Sequence, residues 1–552
     1  MTNQPKQQWG SRLGVILAVS GSAVGLGNFL RFPGNAAENG GGAFMIPYFL
    51  ALLLLGIPIG WAEWTMGRYG GRKGFHSAPA ILGIWAKGAI GRYLGGFGVM
   101  IPLGVYFYYV LIETWCLYFV LQYFGPALGI GIDASLPIDQ QVEVTNSFFA
   151  QITGAAENGI LFSQPGGGMH SIVWTFLFVA AINIFFVFRG LSKGIEAVCK
   201  AAMPIMAILG VIILIRVLTL GTPDPAKPDQ SVLNGLGYLW NPQLDKLLDF
   251  KTWLAASGQI FFSLSVGFGV IINYSSYMKK KDDVVLSGLT ASATNEFFEV
   301  ALGGLITVTA SIVFVGVAVT SAGTGGTMSL GFKTLPMVFA QMPLGWVFGG
   351  SFFLILFLAA ITSSLSMLQP TKAFVEESLG VDRTKSTAIV LGWGLIGNFF
   401  VMWYSKDLVA LDTIDFWVGT FFILIVAGIQ IVAFGWIFGI DKGLKEAHEG
   451  SNMRIPAIFG FIMKYVSPTF LLIVVVGFCI FNAPDYVEKI FADTETSADI
   501  RRTWILMLST IGALALLVTV GAKRWRAQGL DLDGERGADI ADDVAQAYKD
   551  QN

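Results

Sequence analysis

The sequence predicts an all-α membrane protein with twelve transmembrane helices, in which two inverted five-helix repeats each begin with a helix broken at mid-membrane. Three observations support this fold. The 552-residue chain is 54% hydrophobic and 13% charged, a balance too apolar for a soluble protein of this size. Twelve apolar stretches are long enough to cross a bilayer. A glycine-broken phrase occurs in two of these stretches, one near the start and one in the middle of the chain.

The apolar stretches are numbered helices 1 to 12 in chain order. They cover residues 12–37, 42–68, 91–125, 171–188, 195–217, 252–277, 284–318, 346–378, 386–404, 412–439, 456–482 and 503–523. Lys and Arg are concentrated in the loops on the same side as both termini, including the run from Lys279 to Lys281. The positive-inside rule therefore predicts a protein of the cell (inner or plasma) membrane with both termini in the cytoplasm.

This organisation divides the chain into six segments. Residues 1–11 are predicted to form a cytoplasmic N-terminal segment, and residues 528–552 a flexible, acid-rich cytoplasmic tail. Between them lie the first inverted repeat with helices 1–5 (12–217), an extracellular loop (218–251), the second inverted repeat with helices 6–10 (252–439), and helices 11 and 12 (440–527). An odd number of helices in each repeat inverts one repeat relative to the other. Another outer loop, 319–345, is rich in Gly and Thr and is a candidate lid.

The repeated phrase is Val24–Gly27 in helix 1 and Val266–Gly269 in helix 6. A glycine inside a helix costs about 1 kcal/mol relative to alanine, so paired glycines mark backbone that unwinds easily. In a bilayer, unwound backbone persists only where protein or a cavity satisfies its polar groups. Matching breaks in two halves of a membrane protein indicate the binding site of a transporter. The alternative is that these glycines only allow close helix packing.

Other classes of function find no support in the sequence. The net charge of −2 does not indicate nucleic-acid binding, and the three cysteines and three histidines lack the spacing of a metal site. Gly40–Gly42 is not followed by the Lys-Ser/Thr pair of a phosphate-binding loop. We therefore expect neither an enzyme nor an organic cofactor, and we expect the lipid bilayer as the surroundings of the chain.

The residues at both breaks suit a small cation and an amino acid. Unwinding between Gly21 and Asn28 frees carbonyl oxygens for a hard cation and helix N-terminal N–H groups for a carboxylate. The second break, from Phe262 to Phe268, adds serine hydroxyls for an ion and two aromatic rings for an apolar side chain.

Three ordered runs around these breaks are Gly25–Pro33 (GLGNFLRFP), Glu38–Phe44 (ENGGGAF) and Gly258–Ser265 (GQIFFSLS). They resemble the signature of the neurotransmitter:sodium symporter family, and the similarity extends over nearly the whole chain to Asp415–Trp417 in helix 10. The chain is most similar to bacterial amino-acid transporters of the leucine-transporter (LeuT) fold. The resemblance implies a symporter that moves sodium ions and an amino acid by alternating access.

The resemblance also implies two sodium sites built from neutral oxygens. The first would use Ala23, Asn28, Ser263 and Asn295, together with the carboxylate of the substrate. The second would use Gly21, Val24, Ala359, Thr362 and Ser363. Neutral oxygens leave the charge of a cation uncompensated in a low-dielectric site, so a substrate carboxylate at the first site would couple ion to substrate.

The substrate pocket implied by the resemblance has apolar walls and no charged side chain. It comprises Ser22, Ala23, Gly25, Leu26, Gly27, Val105, Tyr109, Phe262, Ser263, Ser265, Phe268, Ser363 and Met367. Family members that carry monoamines have an aspartate at the position of Gly25, so we expect a substrate with its own carboxylate. We predict a neutral, hydrophobic amino acid. An aromatic or very small amino acid remains an alternative substrate, because Ser22 and Met367 differ from the close bacterial relative. A sensor that binds without transporting remains an alternative function.

Glu299 follows Asn295 by one helical turn in helix 7, so both side chains share a face. An ionisable residue at membrane depth is a functional candidate. In chloride-dependent family members a neutral residue stands here, and chloride binds near groups that match Tyr48, Gln259 and Ser263. The resemblance implies chloride-independent transport, with Glu299 as the fixed negative charge and a candidate proton acceptor on the return step. The alternative is a structural carboxylate bonded to neighbouring hydroxyls.

Two gates are implied by the same resemblance. Arg31 and Asp415 match the outer ion pair, which closes above an aromatic lid formed by Tyr109 and Phe268. The sequence leaves open whether the chain forms a homodimer.

At the inner gate, Lys6 and Glu377 stand where close relatives have an arginine and an aspartate. Lysine cannot make the two parallel hydrogen bonds of an arginine, so this inner latch is predicted to be weaker. The residues expected to complete the inner closure are Trp9, Tyr277 and Gln369.

Overall fold

The computed structural model describes residue 9 and residues 12–164, 166–321, 328–481 and 483–534. This part of the chain is helical apart from its loops, and its only β pairing is an isolated bridge between Gly41 and Pro242. Nine of its helices are long and apolar enough to cross a membrane. They are Gly42–Arg72, Ala89–Phe124, Ser171–Leu218, Val284–Ala318, Gly345–Leu379, Arg383–Trp403, Lys406–Ala447, Ala457–Phe481 and Glu495–Ala527.

Helices 1 and 6 are absent from that set because each is broken. Helix 1 is a bent pair, Leu13–Ala23 and Gly27–Glu38, with an angle of 45° between its halves. Helix 6 consists of Phe250–Ser263 and Val270–Ser275 with irregular backbone between them. Neither half of helix 6 has the roughly 20 residues that crossing a bilayer requires, so both halves are needed for one crossing.

Helices 4 and 5 share the 48-residue stretch Ser171–Leu218. At about 1.5 Å per residue, one straight helix of this length would exceed twice the hydrocarbon thickness of a bilayer. The stretch is broken at Gly190, whose φ of 77° and ψ of −164° are not helical. The prediction of twelve membrane helices is therefore confirmed.

Helices 10 and 12 extend beyond the apolar stretches that predict them. Helix 12 begins at Glu495 rather than at residue 503, because a polar turn continues the helix outside the apolar stretch. The Thr494 side chain accepts the N–H of Ser497 and caps this start. Helix 10 breaks at Gly439, whose φ is 102°, and a separate helix, Ile440–Ala447, follows.

Helices 3 and 8 lie at the centre of the bundle. The most apolar part of helix 3 is 94% buried, whereas the corresponding parts of helices 11 and 12 are 28% buried. Aromatic rings join helices 3 and 8, and Phe119 stacks on Phe353 with ring centroids 4.3 Å apart. The residues described below are therefore held by the most deeply packed part of the molecule, while helices 11 and 12 line its periphery.

The candidate lid lies partly outside the described residues, since 322–327 are not described. Its later part forms two short helical segments, Leu330–Thr334 and Leu335–Gln341. Phe332 is fully buried, with its ring centroid 5.5 Å from that of Phe119 on helix 3. This part of the loop is thus packed against helix 3.

Candidate functional site

The break in helix 1 depends on close approach of other side chains rather than on unusual backbone angles. Gly25 and Gly27 have no positive φ. A Cβ atom on Gly25 would lie 2.6 Å from Tyr109 Oη and 2.8 Å from Ser363 Oγ. A Cβ atom on Gly27 would lie 3.0 Å from the Phe262 ring. Glycine is needed here because helices 3, 6 and 8 all approach helix 1 at the break.

The break in helix 6 is a different kind of break, because its backbone is left-handed. Ser265, Gly267 and Gly269 have φ values of 55°, 81° and 73°, a region that favours glycine. The N–H of Gly267 donates to Glu63 Oε1 at 3.2 Å, so a buried carboxylate satisfies the unwound chain. A Cβ atom on Gly269 would also lie 2.1 Å from the carbonyl oxygen of Gly98.

A small cavity lies between the two breaks. It is lined by Ser22, Ala23, Gly25, Gly27, Tyr109, Phe262, Ser263, Ser265, Phe268, Ser363 and Met367, and no charged side chain is among these residues. Of the predicted pocket residues, only Leu26 and Val105 do not line it. The N–H of Leu26 donates to Tyr109 Oη at 3.0 Å, and Val105 is buried in helix 3 one turn before Tyr109.

The predicted first sodium set meets around Asn295. Asn28 Nδ2 donates to Asn295 Oδ1 at 2.8 Å, and Asn295 Nδ2 donates to Ser263 Oγ at 3.1 Å. Asn28 Oδ1 accepts the N–H of Gly25 at 2.9 Å, and Ala23 lines the adjoining cavity. Helices 1, 6 and 7 therefore bring together neutral oxygens, which are suitable ligands for a hard cation.

The predicted second sodium set joins helix 1 to helix 8. Ser363 Oγ lies 3.4 Å from the carbonyl oxygen of Gly21, to which it donates. Thr362 Oγ1 donates to the carbonyl oxygen of Ala359 at 3.0 Å. Val24, which the prediction also includes, is fully buried just after the end of the inner half of helix 1. A cation here would lie between the break of helix 1 and helix 8, which is continuous from Gly345 to Leu379.

Glu299 is fully buried and its carboxylate is held by side-chain amides. Glu299 Oε1 accepts from Gln259 Nε2 at 2.7 Å. Glu299 Oε2 accepts from Asn295 Nδ2 at 3.0 Å and from Asn28 Nδ2 at 3.4 Å. The carboxylate therefore contacts two members of the predicted first sodium set directly.

A second carboxylate of this cluster was not singled out by the sequence. Glu296 Oε2 accepts from Tyr48 Oη at 2.8 Å, and Glu296 Oε1 accepts from Asn295 Nδ2 at 3.4 Å. Tyr48, which the resemblance assigned to a chloride-type site, is thus bonded to an acid. An acidic residue inside an apolar span, next to Asn295, was the signal that could have identified it.

The predicted outer gate is an assembly of five side chains rather than a close ion pair. Arg31 Nη1 lies 3.7 Å from Asp415 Oδ1, whereas Arg31 Nη2 donates to Thr420 Oγ1 at 2.7 Å. The guanidinium carbon lies 4.4 Å from the centre of the Phe262 ring. Asp415 is held by Tyr108 Oη, which donates at 2.6 Å. Sequence reasoning missed Thr420 and Tyr108, because hydroxyl residues are common in membrane helices and carry no individual signal.

The predicted inner latch cannot be followed completely, because Lys6 lies outside the described residues. Its predicted partner Glu377 accepts the backbone N–H of His76 and the hydroxyl of Ser77, the latter at 2.5 Å. These residues immediately precede the helix Ala78–Trp85. The Glu377 carboxylate therefore ties the C-terminal end of helix 8 to the loop after helix 2.

The other predicted inner-gate residues lie around the C-terminal half of helix 6. Trp9 Nε1 donates to the carbonyl oxygen of Tyr274 at 3.0 Å. Tyr277 stacks on His76 with ring centroids 4.3 Å apart, and Gln369 is buried. The C-terminal half of helix 6 is thus packed against its neighbours.

Two broken helices that face one uncharged cavity are typical of membrane transporters. The model of the sodium:neurotransmitter symporter family matches residues 6–524. The chain belongs to this family of sodium-dependent transporters, and it is a multi-pass membrane protein.

Individual relatives agree with this assignment. A sodium-dependent transporter of Methanocaldococcus jannaschii is 31% identical over 479 residues, which cover 86% of this chain and 91% of the relative. The sodium- and chloride-dependent glycine transporter 1 of Xenopus laevis is 26% identical over 519 residues, which cover 86% of this chain and 78% of that protein. The crystal structure of MhsT in complex with L-phenylalanine superposes with a TM-score of 0.71 at 27% identity, and the match covers 86% of this chain and 99% of MhsT.

Proposed function

We propose that this protein is a symporter that imports a neutral, hydrophobic amino acid with two sodium ions and does not require chloride. It would act in the cell membrane with both termini in the cytoplasm, by alternating access around the two breaks. The observation that carries the proposal is the uncharged cavity between the breaks, with the Glu299 carboxylate bonded to the amides of Asn28 and Asn295 beside it.

The cavity supports an amino acid rather than a monoamine. A monoamine needs an acidic partner, but no acidic side chain lines the cavity, and Gly25 has no room even for a methyl group. An amino acid would bring its own carboxylate toward Tyr109 and the first sodium set. Its amine would compete for the carbonyl oxygen of Ser22, which now accepts from Ser265 Oγ at 3.2 Å and Ser363 Oγ at 3.1 Å.

The hydrophobic preference is supported by the cavity walls. Phe262, Phe268 and Met367 contribute apolar surface, and no described residue of the lining offers a charge to a charged substrate side chain. MhsT, which shares the fold, was crystallised with L-phenylalanine. An aromatic or a very small amino acid is the alternative substrate.

Chloride independence is supported by the place of Glu299. The carboxylate supplies a fixed negative charge next to the first sodium set, where an uncompensated cation would be costly. The family also includes chloride-using members, because one relative is a sodium- and chloride-dependent glycine transporter.

Uptake into proteoliposomes tests the proposal. Labelled neutral amino acids are supplied outside under an inward sodium gradient, with chloride replaced by gluconate in half of the samples. We expect accumulation of at least one hydrophobic amino acid that requires sodium and is unchanged by gluconate. Binding without accumulation would favour the sensor alternative, and accumulation only in chloride would contradict the role of Glu299.

The outer gate gives a further prediction. Thr420→Val removes the hydroxyl that accepts from Arg31 at 2.7 Å but keeps the side-chain volume. We expect the KM for uptake to rise about threefold to tenfold, because a hydrogen bond from a charged group contributes about 1.5–3 kcal/mol and part of it is replaced by water. Initial uptake rates against substrate concentration measure this.

The matched control for this prediction is Thr413→Val, one helical segment earlier in helix 10. Its hydroxyl donates to the carbonyl oxygen of Val409 in its own helix at 2.7 Å. An equal rise of KM in both variants would show that any lost hydroxyl in this helix has the effect, and would remove Thr420 from the gate.

A further inference from the structure

The inner half of helix 1 packs on the start of helix 5 through two glycines. Gly14 and Gly21 are two turns apart and lie on one face of helix 1. A Cβ atom on Gly21 would lie 2.8 Å from Cys199 Sγ, and one on Gly14 would lie 2.0 Å from Glu196 Oε1. Glu196 and Cys199 are themselves one turn apart, so the two helices meet along matching faces.

Glu196 is an unusual residue at such a contact, because it is 2% exposed and acidic side chains are rarely buried without compensation. Its Oε1 accepts from Lys200 Nζ at 2.7 Å, but the Lys200 side chain is 47% exposed. The same oxygen also lies beside Gly14 in the first turn of helix 1, which begins at Arg12. The first turn of a helix carries partial positive charge, which stabilises an adjacent anion.

We propose that Glu196 is a positioning residue that holds the inner half of helix 1 in the closed position. This inference rests on alternating access as proposed above, since helix 1 must leave helix 5 for the site to open to the cytoplasm. The carboxylate binds the helix start only in the closed state. Gly14 is part of the device, because any side chain there would separate the carboxylate from the helix.

Cys199 makes the movement measurable without an added label site. Its thiol is fully buried under Gly21, so departure of helix 1 would expose it to the cytoplasm. The experiment uses the full chain with Cys116 and Cys479, the other two cysteines, replaced by alanine. Inside-out vesicles are treated with a membrane-impermeant maleimide, and the rate of Cys199 labelling is measured in potassium, in sodium, and in sodium with the transported amino acid.

In potassium, we expect Glu196→Gln to raise the Cys199 labelling rate at least about threefold, because the isosteric amide keeps the packing and loses the charge. Gly14→Ala is expected to raise it by at least the same factor for steric reasons. Lys200→Gln is the control, because it removes the exposed ion-pair partner and leaves the buried contact, and its rate should stay within about twofold of the parent. Sodium with the amino acid should return Glu196→Gln to the parent rate, which a merely misfolded variant would not show.

Unchanged labelling in Glu196→Gln would overturn the proposal, even if Gly14→Ala accelerates labelling for steric reasons. It would also be overturned if Lys200→Gln accelerated labelling as much as Glu196→Gln, since the surface ion pair would then be responsible. A parent protein that takes up no amino acid in proteoliposomes would instead contradict the proposed function. Even in that case, the ratio of the Cys199 labelling rate in Glu196→Gln to that in the parent would test the role of Glu196.

Discussion

Replacing Glu299 with serine is expected to make transport dependent on chloride, with uptake in gluconate medium at least about tenfold below uptake in chloride. The carboxylate lies 2.7 Å from Gln259 Nε2 and 3.0 Å from Asn295 Nδ2, so its charge acts directly on the first sodium set. Serine removes that charge and leaves space for an anion among the same amide donors. A tenfold loss corresponds to only about 1.4 kcal/mol, which is small for a charge in a buried site. Sodium-driven uptake measured across a chloride titration gives the answer.

The matched control for this experiment is Glu113→Gln. Glu113 is also a fully buried acid at membrane depth, and its Oε1 accepts from Asn183 Nδ2 at 3.0 Å in another part of the bundle. Transport by the Glu113→Gln variant should be insensitive to chloride, whatever its overall rate of uptake. An active Glu299→Ser protein that ignores chloride would contradict the proposal that this carboxylate replaces an anion.

Gly25→Ala is expected to reduce sodium-dependent substrate binding by roughly 100-fold, while the protein still folds. The added carbon would lie 2.6 Å from Tyr109 Oη and 2.8 Å from Ser363 Oγ, and both side chains are buried. Tyr109 cannot simply retreat, because its hydroxyl accepts the N–H of Leu26. Overpacking of a close-packed site costs about 1–3 kcal/mol, and roughly 2.7 kcal/mol is 100-fold in affinity. Scintillation proximity binding with a labelled amino acid measures the change.

Gly392→Ala serves as the control for Gly25→Ala. Gly392 lies in helix 9, and a Cβ atom there would meet no other atom within 4 Å. It should bind substrate like the parent protein. Normal binding by Gly25→Ala would mean that the cavity between the breaks is not where the amino acid binds.

Much of the fold follows from the sequence, because the bilayer imposes simple rules. Apolar length predicts the spans, and the break of helix 6 is predictable because Gly267 and Gly269 adopt left-handed angles that glycine adopts most easily. The sequence did not show that helices 4 and 5 share one stretch broken at Gly190, since the polar segment after Gly190 folds as a π-helical turn, Leu191–Glu196, rather than as a loop.

The site was less accessible to sequence reasoning, because its contacts join distant parts of the chain. The family motifs locate residues such as Asn28 and Glu299, which the fold brings to 3.4 Å from each other. Nothing in the local sequence indicates that Arg31 donates to Thr420. A hydroxyl in a membrane helix usually bonds to its own helix, so its spatial partner decides its role.

The sequence by itself determined that this chain spans the membrane twelve times, with broken helices 1 and 6, because hydrophobic length and glycine conformation are local properties. Only the tertiary structure decided which polar groups meet in the low-dielectric interior. In the folded chain, Tyr48 is bonded to Glu296 and Ser77 donates to Glu377. Glu196 lies buried beside Gly14. Those choices depend on the packing of helices far apart in the chain, where a buried polar group is stable only beside a partner.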